Sequence, residues 1–173
     1  MNDQRGFGGS ERSPLRTATE LRRFFSDRDP TAALDQLAAD DRLEMARRCA
    51  KWAADRCYLV DVLALTLRTY PMVINDGPEL TDTTDLDEWI NERIEVAGQA
   101  LLQEDIELCA ADAPLEEPLE PRYRFLASTL GFRMNQLRRA MVAANGLPVA
   151  ERHVFHNTFS RAEVSVATRR RPA

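Results

Sequence analysis

Residues 40–70, DDRLEMARRCAKWAADRCYLVDVLALTLRTY, carry the reading on which the fold class turns. Met45, Cys49 and Trp52 recur at spacings of four and three, and Leu59, Val62, Leu63 and Leu67 prolong the stripe. This is the period of an α-helix that lays one face on a core. Near Tyr58 the apolar residues become almost continuous, as expected of a central, most buried helix. The pattern predicts one long helix, opened by Asp40 or Asp41, running to about Thr69 and stopped by Tyr70-Pro71.

Upstream, Leu34 and Leu37 continue a helical pattern behind Asp29-Pro30, an N-cap acid followed by proline at the first helical position. Leu21, Phe24 and Phe25 form a shorter stripe, with Thr17 and Glu20 spaced for a capping box and Ser13-Pro14 as a further start signal. Downstream, Asn75-Asp76-Gly77-Pro78 is a turn, and Thr84 or Asp85 caps a helix whose face is Leu86, Trp89, Ile90, Ile94, Ala97, Leu101 and Leu108. Residues 111–121, ADAPLEEPLEP, read as a semi-extended acidic linker. Three short helices follow, at about 122–130, 134–144 and 149–159. No period-2 alternation is long enough for a strand, so the chain is expected to be all-α. The predicted organisation is a disordered 1–13, a helical bundle over 14–110, the linker, a basic helical unit over 122–160 and a frayed basic tail over 161–173. The bundle should pack around Trp52, Tyr58, Leu63, Trp89 and Ile94.

A chain of 173 residues with 44% apolar and 29% charged residues is long and apolar enough to bury one core. No apolar run approaches the ~18 residues of a membrane span. The polar, Gly-rich first fourteen residues show no secretory signal. Cys49, Cys57 and Cys109 are odd in number and wrongly spaced for a disulfide framework or a CxxC knuckle. Each sits in a helical pattern as a small hydrophobe in a reducing compartment, so a cytoplasmic location is expected. His153 and His156 stand i, i+3, but a metal site lacks a third ligand there, Glu151 being on another face. Asp85, Asp87 and Glu88 lie at a helix start, where the macrodipole explains them. With no phosphate loop, nucleophile elbow or His-Glu-x-x-His pattern, no catalytic, cofactor or metal site is predicted, and the chain is expected not to be an enzyme.

Charge is blocked along the chain. Residues 1–75 have 12 bases and 11 acids, 76–121 have 15 acids and one base, and 122–173 have 10 bases and two acids. The overall charge of −5 therefore hides a basic C-terminal third. The acidic block reads as solvated surface with an extended linker; the alternative is that it folds back onto the basic C-terminal third and competes with DNA, which neutralising Glu116, Glu117 and Glu120 would test.

Just beyond the linker, YRFLASTLGFRMNQLRRAMVAANG has the pattern of a helix-turn-helix. Ala127 is small where two helices cross, and Gly131 ends the first of them. Leu126, Leu130, Phe132, Leu137 and Ala140 are apolar toward the unit's own core. Asn135, Gln136, Arg138 and Arg139 are then exposed on the second helix, the amides suited to adenine and the guanidiniums to guanine or phosphate. Arg122, Arg124 and Arg133 supply flanking phosphate contacts. A departure from the pattern is Arg133, at the turn position where Ser or Thr usually caps. The alternative is a helical hairpin of the same shape that meets an acidic protein and never touches nucleic acid.

The stretch LRRAMVAANGLPVAERHVFHNTFS, residues 137–160, resembles the entrance to region four of the bacterial RNA polymerase sigma factors. Leu147-Pro148 and Arg152-His153-Val154-Phe155 stand where that family has Leu-Pro and an Arg-Val-Phe-type helix. The resemblance implies a shortened, divergent relative, because the tail after Ser160 is too short for the family's promoter-reading helices. Its expected role is regulation of transcription, bound to DNA through 123–144 or to RNA polymerase or a sigma-type protein. A homodimer would help a lone helix-turn-helix reach specific affinity.

Overall fold

The computed structural model describes residues 13–111 and 121–169, apart from the side chains of 121–122 and 163–169. Among these residues the chain is all-α, eight helices and a short 3-10 turn with no strand, as the periodicity predicts. The first five helices are α1 (Ala18–Ser26), α2 (Pro30–Asp40), α3 (Met45–Asp55), α4 (Val62–Asp76) and α5 (Leu86–Ala110). The last three are α6 (Pro121–Leu130), α7 (Met134–Asn145) and α8 (Val149–Arg169). None of them is long and apolar enough to cross a membrane.

Local chemistry sets most of the starts. Thr17 Oγ1 accepts from the Glu20 amide while Glu20 Oε2 accepts from the Thr17 amide, closing the predicted capping box. Asp29, Asp61 and Asp85 each accept from two backbone amides of the following turn, at α2, α4 and α5. Each such cap is worth about 1 kcal/mol.

The predicted long helix is in fact two. α3 ends in a Schellman turn: the Tyr58 amide donates to Ala53 O at 2.9 Å and the Cys57 amide to Ala54 O at 3.0 Å, with Cys57 left-handed at φ 53°. Glycine normally takes that position, so a cysteine there hid the break, and Cys57 is not helical. Pro71 does not stop α4 either, which continues to Asp76. The missing proline N–H would have met the Leu67 carbonyl, and both residues lie on the exposed face, where water can serve it. Ser13-Pro14 opens no helix; Leu15 is instead buried, its amide bonded to Arg42 O at 2.9 Å. At the other end α8 runs on to Arg169 rather than fraying from 161, in keeping with the lack of Gly or Pro between Ser160 and Pro172. The expected disorder of 1–12, the linker interior 112–120 and the chain end 170–173 lie outside the described residues.

Helices α1–α5 share one apolar cluster, with Leu21, Leu37, Met45, Cys49, Leu65, Ile90 and Ile94 fully buried. Trp52 and Trp89 are buried in it and Tyr58 is partly so, as predicted, but Leu63 is 50% exposed, because the break at Cys57 resets the phase of the stripe. Leu108 is also exposed, near the end of α5.

A second cluster joins Tyr123, Leu126, Ala127, Leu137, Met141, Ala144 and Phe159 of α6–α8 to Leu59 of the α3–α4 connector. The connector is the seat of the C-terminal helices. Asn145 Oδ1 accepts from the Leu59 amide at 2.8 Å and its Nδ2 donates to Leu59 O at 3.0 Å, as a paired strand would. Tyr123 Oη donates to Val60 O at 2.7 Å, and the Arg152 guanidinium lies 4.3 Å from the centre of the Tyr58 ring.

Candidate nucleic-acid interface on the C-terminal helices

Helices α6 and α7 meet at the predicted Gly131 turn. Gly131 ends α6 with φ 76°, and the Phe132 amide closes the turn on Ala127 O at 2.8 Å. Ala127, Leu126 and Leu137 are buried, Leu130 and Ala140 partly so, but Phe132 is turned outward and 42% exposed. Phe132 belongs to the turn, not to either helix, and helical spacing does not govern it.

α7 buries Leu137, Met141 and Ala144, so its opposite face meets solvent. Asn135, Gln136 and Arg139 are exposed there, Arg133 is exposed at the N-cap just before the helix, and Arg124 is exposed on α6. The side chain of Arg122 lies outside the described residues. The amides close the start of the helix: Gln136 Oε1 accepts from the Arg133 amide at 2.9 Å, and Asn135 Oδ1 accepts from the Gln136 amide at 2.8 Å. Gln136 thereby supplies the cap that Arg133 cannot, while the NH2 groups of Asn135 and Gln136 stay at the surface.

Arg138 departs from the expected set. It turns toward α5, where its Nε donates to Asp105 Oδ1 at 3.0 Å and its Nη2 donates to the same oxygen. Both side chains are largely covered, at 14% and 15% exposure. The cause is register: Arg138 directly follows buried Leu137, on the flank of α7 packed against α5. Cys109 marks the same junction. Burial pushes its thiol up, Asp105 adds to the rise, and the Arg138 and Arg139 charges oppose it.

Two residues that pattern reading did not single out as site-building prove structural to this unit. Arg152 is 7% exposed, stacked on Tyr58, with Nη1 donating to Asn145 O at 3.0 Å. Its Nε makes no hydrogen bond among the described residues. Asn145 is the other, and nothing in a helix-ending Asn-Gly signals a long-range partner. Of the two histidines, His153 is exposed and bonded to Asn157, and His156 is half-buried. Among the described residues no three His, Cys, Asp or Glu side chains are grouped to hold a metal. Comparison with protein-family models, with characterised proteins and with solved structures finds no match to this chain.

Proposed function

We propose that this chain is a cytoplasmic, non-enzymatic regulator linked to transcription, which meets DNA through the outer face of α7. The observation that carries the reading is the exposure of Asn135, Gln136 and Arg139 on the face of α7 opposite buried Leu137 and Met141, with Arg133 exposed at the N-cap just before the helix. Amides at the start of a helix with guanidiniums around them suit base edges and phosphates. Arg138 is not part of this face as it stands, which leaves a smaller reading set than the sequence suggested. The likeness of 137–160 to the sigma-factor region-four entrance supports RNA polymerase or a sigma-type protein as the companion in that role.

Titration of generic duplex DNA at several salt concentrations tests this. Log affinity should fall linearly with log salt, and an Arg133→Ala, Arg139→Ala variant should flatten the slope by about 1.8, roughly 0.9 per lost phosphate contact. No binding at low salt by folded protein refutes it.

A second reading is a helical protein-interaction module without nucleic acid. It is favoured by Phe125, Phe132, Val154 and Phe155, large apolar side chains left exposed on the C-terminal helices. Under it, a Val154→Asp, Phe155→Ser variant abolishes partner capture, and duplex DNA binds to neither protein.

A further inference from the structure

We propose that Asp105 is a built-in competitor for phosphate, holding Arg138 out of the nucleic-acid face and keeping the chain in a low-affinity form. This rests on the DNA reading above and adds a means of regulating it. Both nitrogens that Arg138 directs at α5 converge on one carboxylate oxygen, Asp105 Oδ1, the way a guanidinium meets a phosphate oxygen. The neighbouring acids of α5 are otherwise engaged: Glu104 pairs with Arg68, and Glu107 accepts from Gln103 at 2.9 Å. Asp105 is thus the carboxylate of this turn committed to α7.

The position of Arg138 makes the contact consequential. It sits one residue before exposed Arg139, on the edge between the buried and open faces of α7, so a long side chain there can serve either side. While paired, its charge is cancelled next to the face that phosphates would approach. A duplex drawing Arg138 away must also leave Asp105 as an unpaired, largely covered carboxylate, which is costly. Converting Asp105 to an amide removes the ion pair and that penalty, leaves only a weaker bond to a neutral oxygen, and so shifts Arg138 toward the solvent side.

The test compares the full chain with Asp105→Asn and with Asp87→Asn, a charge-matched control. Asp87 pairs with Arg48 near the opposite end of α5. The two positions are roughly 27 Å apart along the helix, at 1.5 Å rise per residue. Asp105→Asn should bind a duplex about tenfold or more tightly than the unsubstituted chain, with a salt slope steeper by about 0.9. Asp87→Asn should change affinity less than about twofold, and Asp105→Asn with Arg138→Ala should lose the gain. Equal effects at 105 and 87, or a gain that survives Arg138→Ala, overturns the proposal. A second measurement needs no substitution at 105. The Arg138 Nε–H resonance of the unsubstituted chain, assigned with Arg138→Lys, should move when duplex is added. An unmoved resonance in the bound complex overturns the proposal. Duplex binding by the unsubstituted chain without an Asp105→Asn gain defeats this inference alone, whereas no binding by the folded unsubstituted chain at low salt defeats the DNA reading and this inference with it.

Discussion

Replacing Asn145 with Ala should loosen the C-terminal helices from the rest of the chain. The side chain makes two hydrogen bonds to one residue, from the Leu59 amide at 2.8 Å and to the Leu59 carbonyl at 3.0 Å. Each is worth a net ~0.5–1.5 kcal/mol, and a partner group left covered and unpaired costs about 1–3 kcal/mol. Leu59 is 7% exposed, so water does not fully replace what is lost. Alanine recovers roughly 0.5 kcal/mol through its better helix propensity at the last position of α7. The net loss is therefore about 2–3 kcal/mol, which for a domain of this size lowers Tm by roughly 5–10 °C. Asn145→Asp should fare no better, because it keeps the acceptor but sets a carboxylate against the Leu59 carbonyl. Urea unfolding followed by far-ultraviolet circular dichroism measures the loss, and hydrogen exchange at the Leu59 amide measures it locally. A variant within 0.5 kcal/mol of the parent, with Leu59 equally protected, would refute the view that this pair seats the C-terminal unit.

Further outcomes follow from packing and charge. Gly98→Ala should destabilise although helix propensity alone favours it by about 1 kcal/mol. A Cβ there would stand 2.3 Å from the Trp52 ring, which is held by its bond to Glu95, and overpacking of this kind costs ~1–3 kcal/mol. A more stable Gly98→Ala in urea unfolding contradicts that. Glu20, Glu44, Glu95 and Glu104 are all held below the ordinary carboxylate value of 4.5. For Glu95, burial works upward but is outweighed by hydrogen bonds from Trp52, Gln99 and Arg56 and by the Arg56 charge. Folded values below unfolded ones mean stability that is present above about pH 4.5 and lost as pH falls through the lowered values. Glu95→Gln should accordingly lose less Tm between neutral and acid pH than the parent, and an unchanged acid limb would count against it. Tyr70 is pushed up to about 12, first by burial and then by Asp41, so the fold favours its neutral form. Its contribution is whole below the ordinary value of 10 and is lost as pH rises toward 12, which phenolate absorbance compared with Tyr70→Phe should register.

Much of the architecture is legible without coordinates because it is local. The Thr17–Glu20 capping box, the Asp29-Pro30 and Asp85 starts, the Gly131 turn and the buried face from Leu86 to Leu101 depend on residues within two turns of one another. Those features determined that the chain is helical, where most helices begin, and that a short hairpin follows the acidic stretch. Where the reading failed, the deciding partner was usually distant or atypical. The break after α3 uses a left-handed Cys57 in a role normally signalled by glycine, and periodicity ran on past it. Pro71 is tolerated because it faces solvent, which the order of residues does not reveal.

The candidate site divides in the same way. That α7 buries Leu137 and Met141 and exposes Asn135, Gln136 and Arg139 is a matter of helical phase, and the chain itself determined it. That Arg138 faces α5 and pairs with Asp105, 33 residues earlier, was decided by how the C-terminal helices lie on the first five. That seating depends on Asn145 and Leu59, 86 residues apart, and on Tyr123 and Val60, 63 apart. A helix's period says which side chains share a flank; only the packing of one helix on another says whether that flank meets water or a carboxylate.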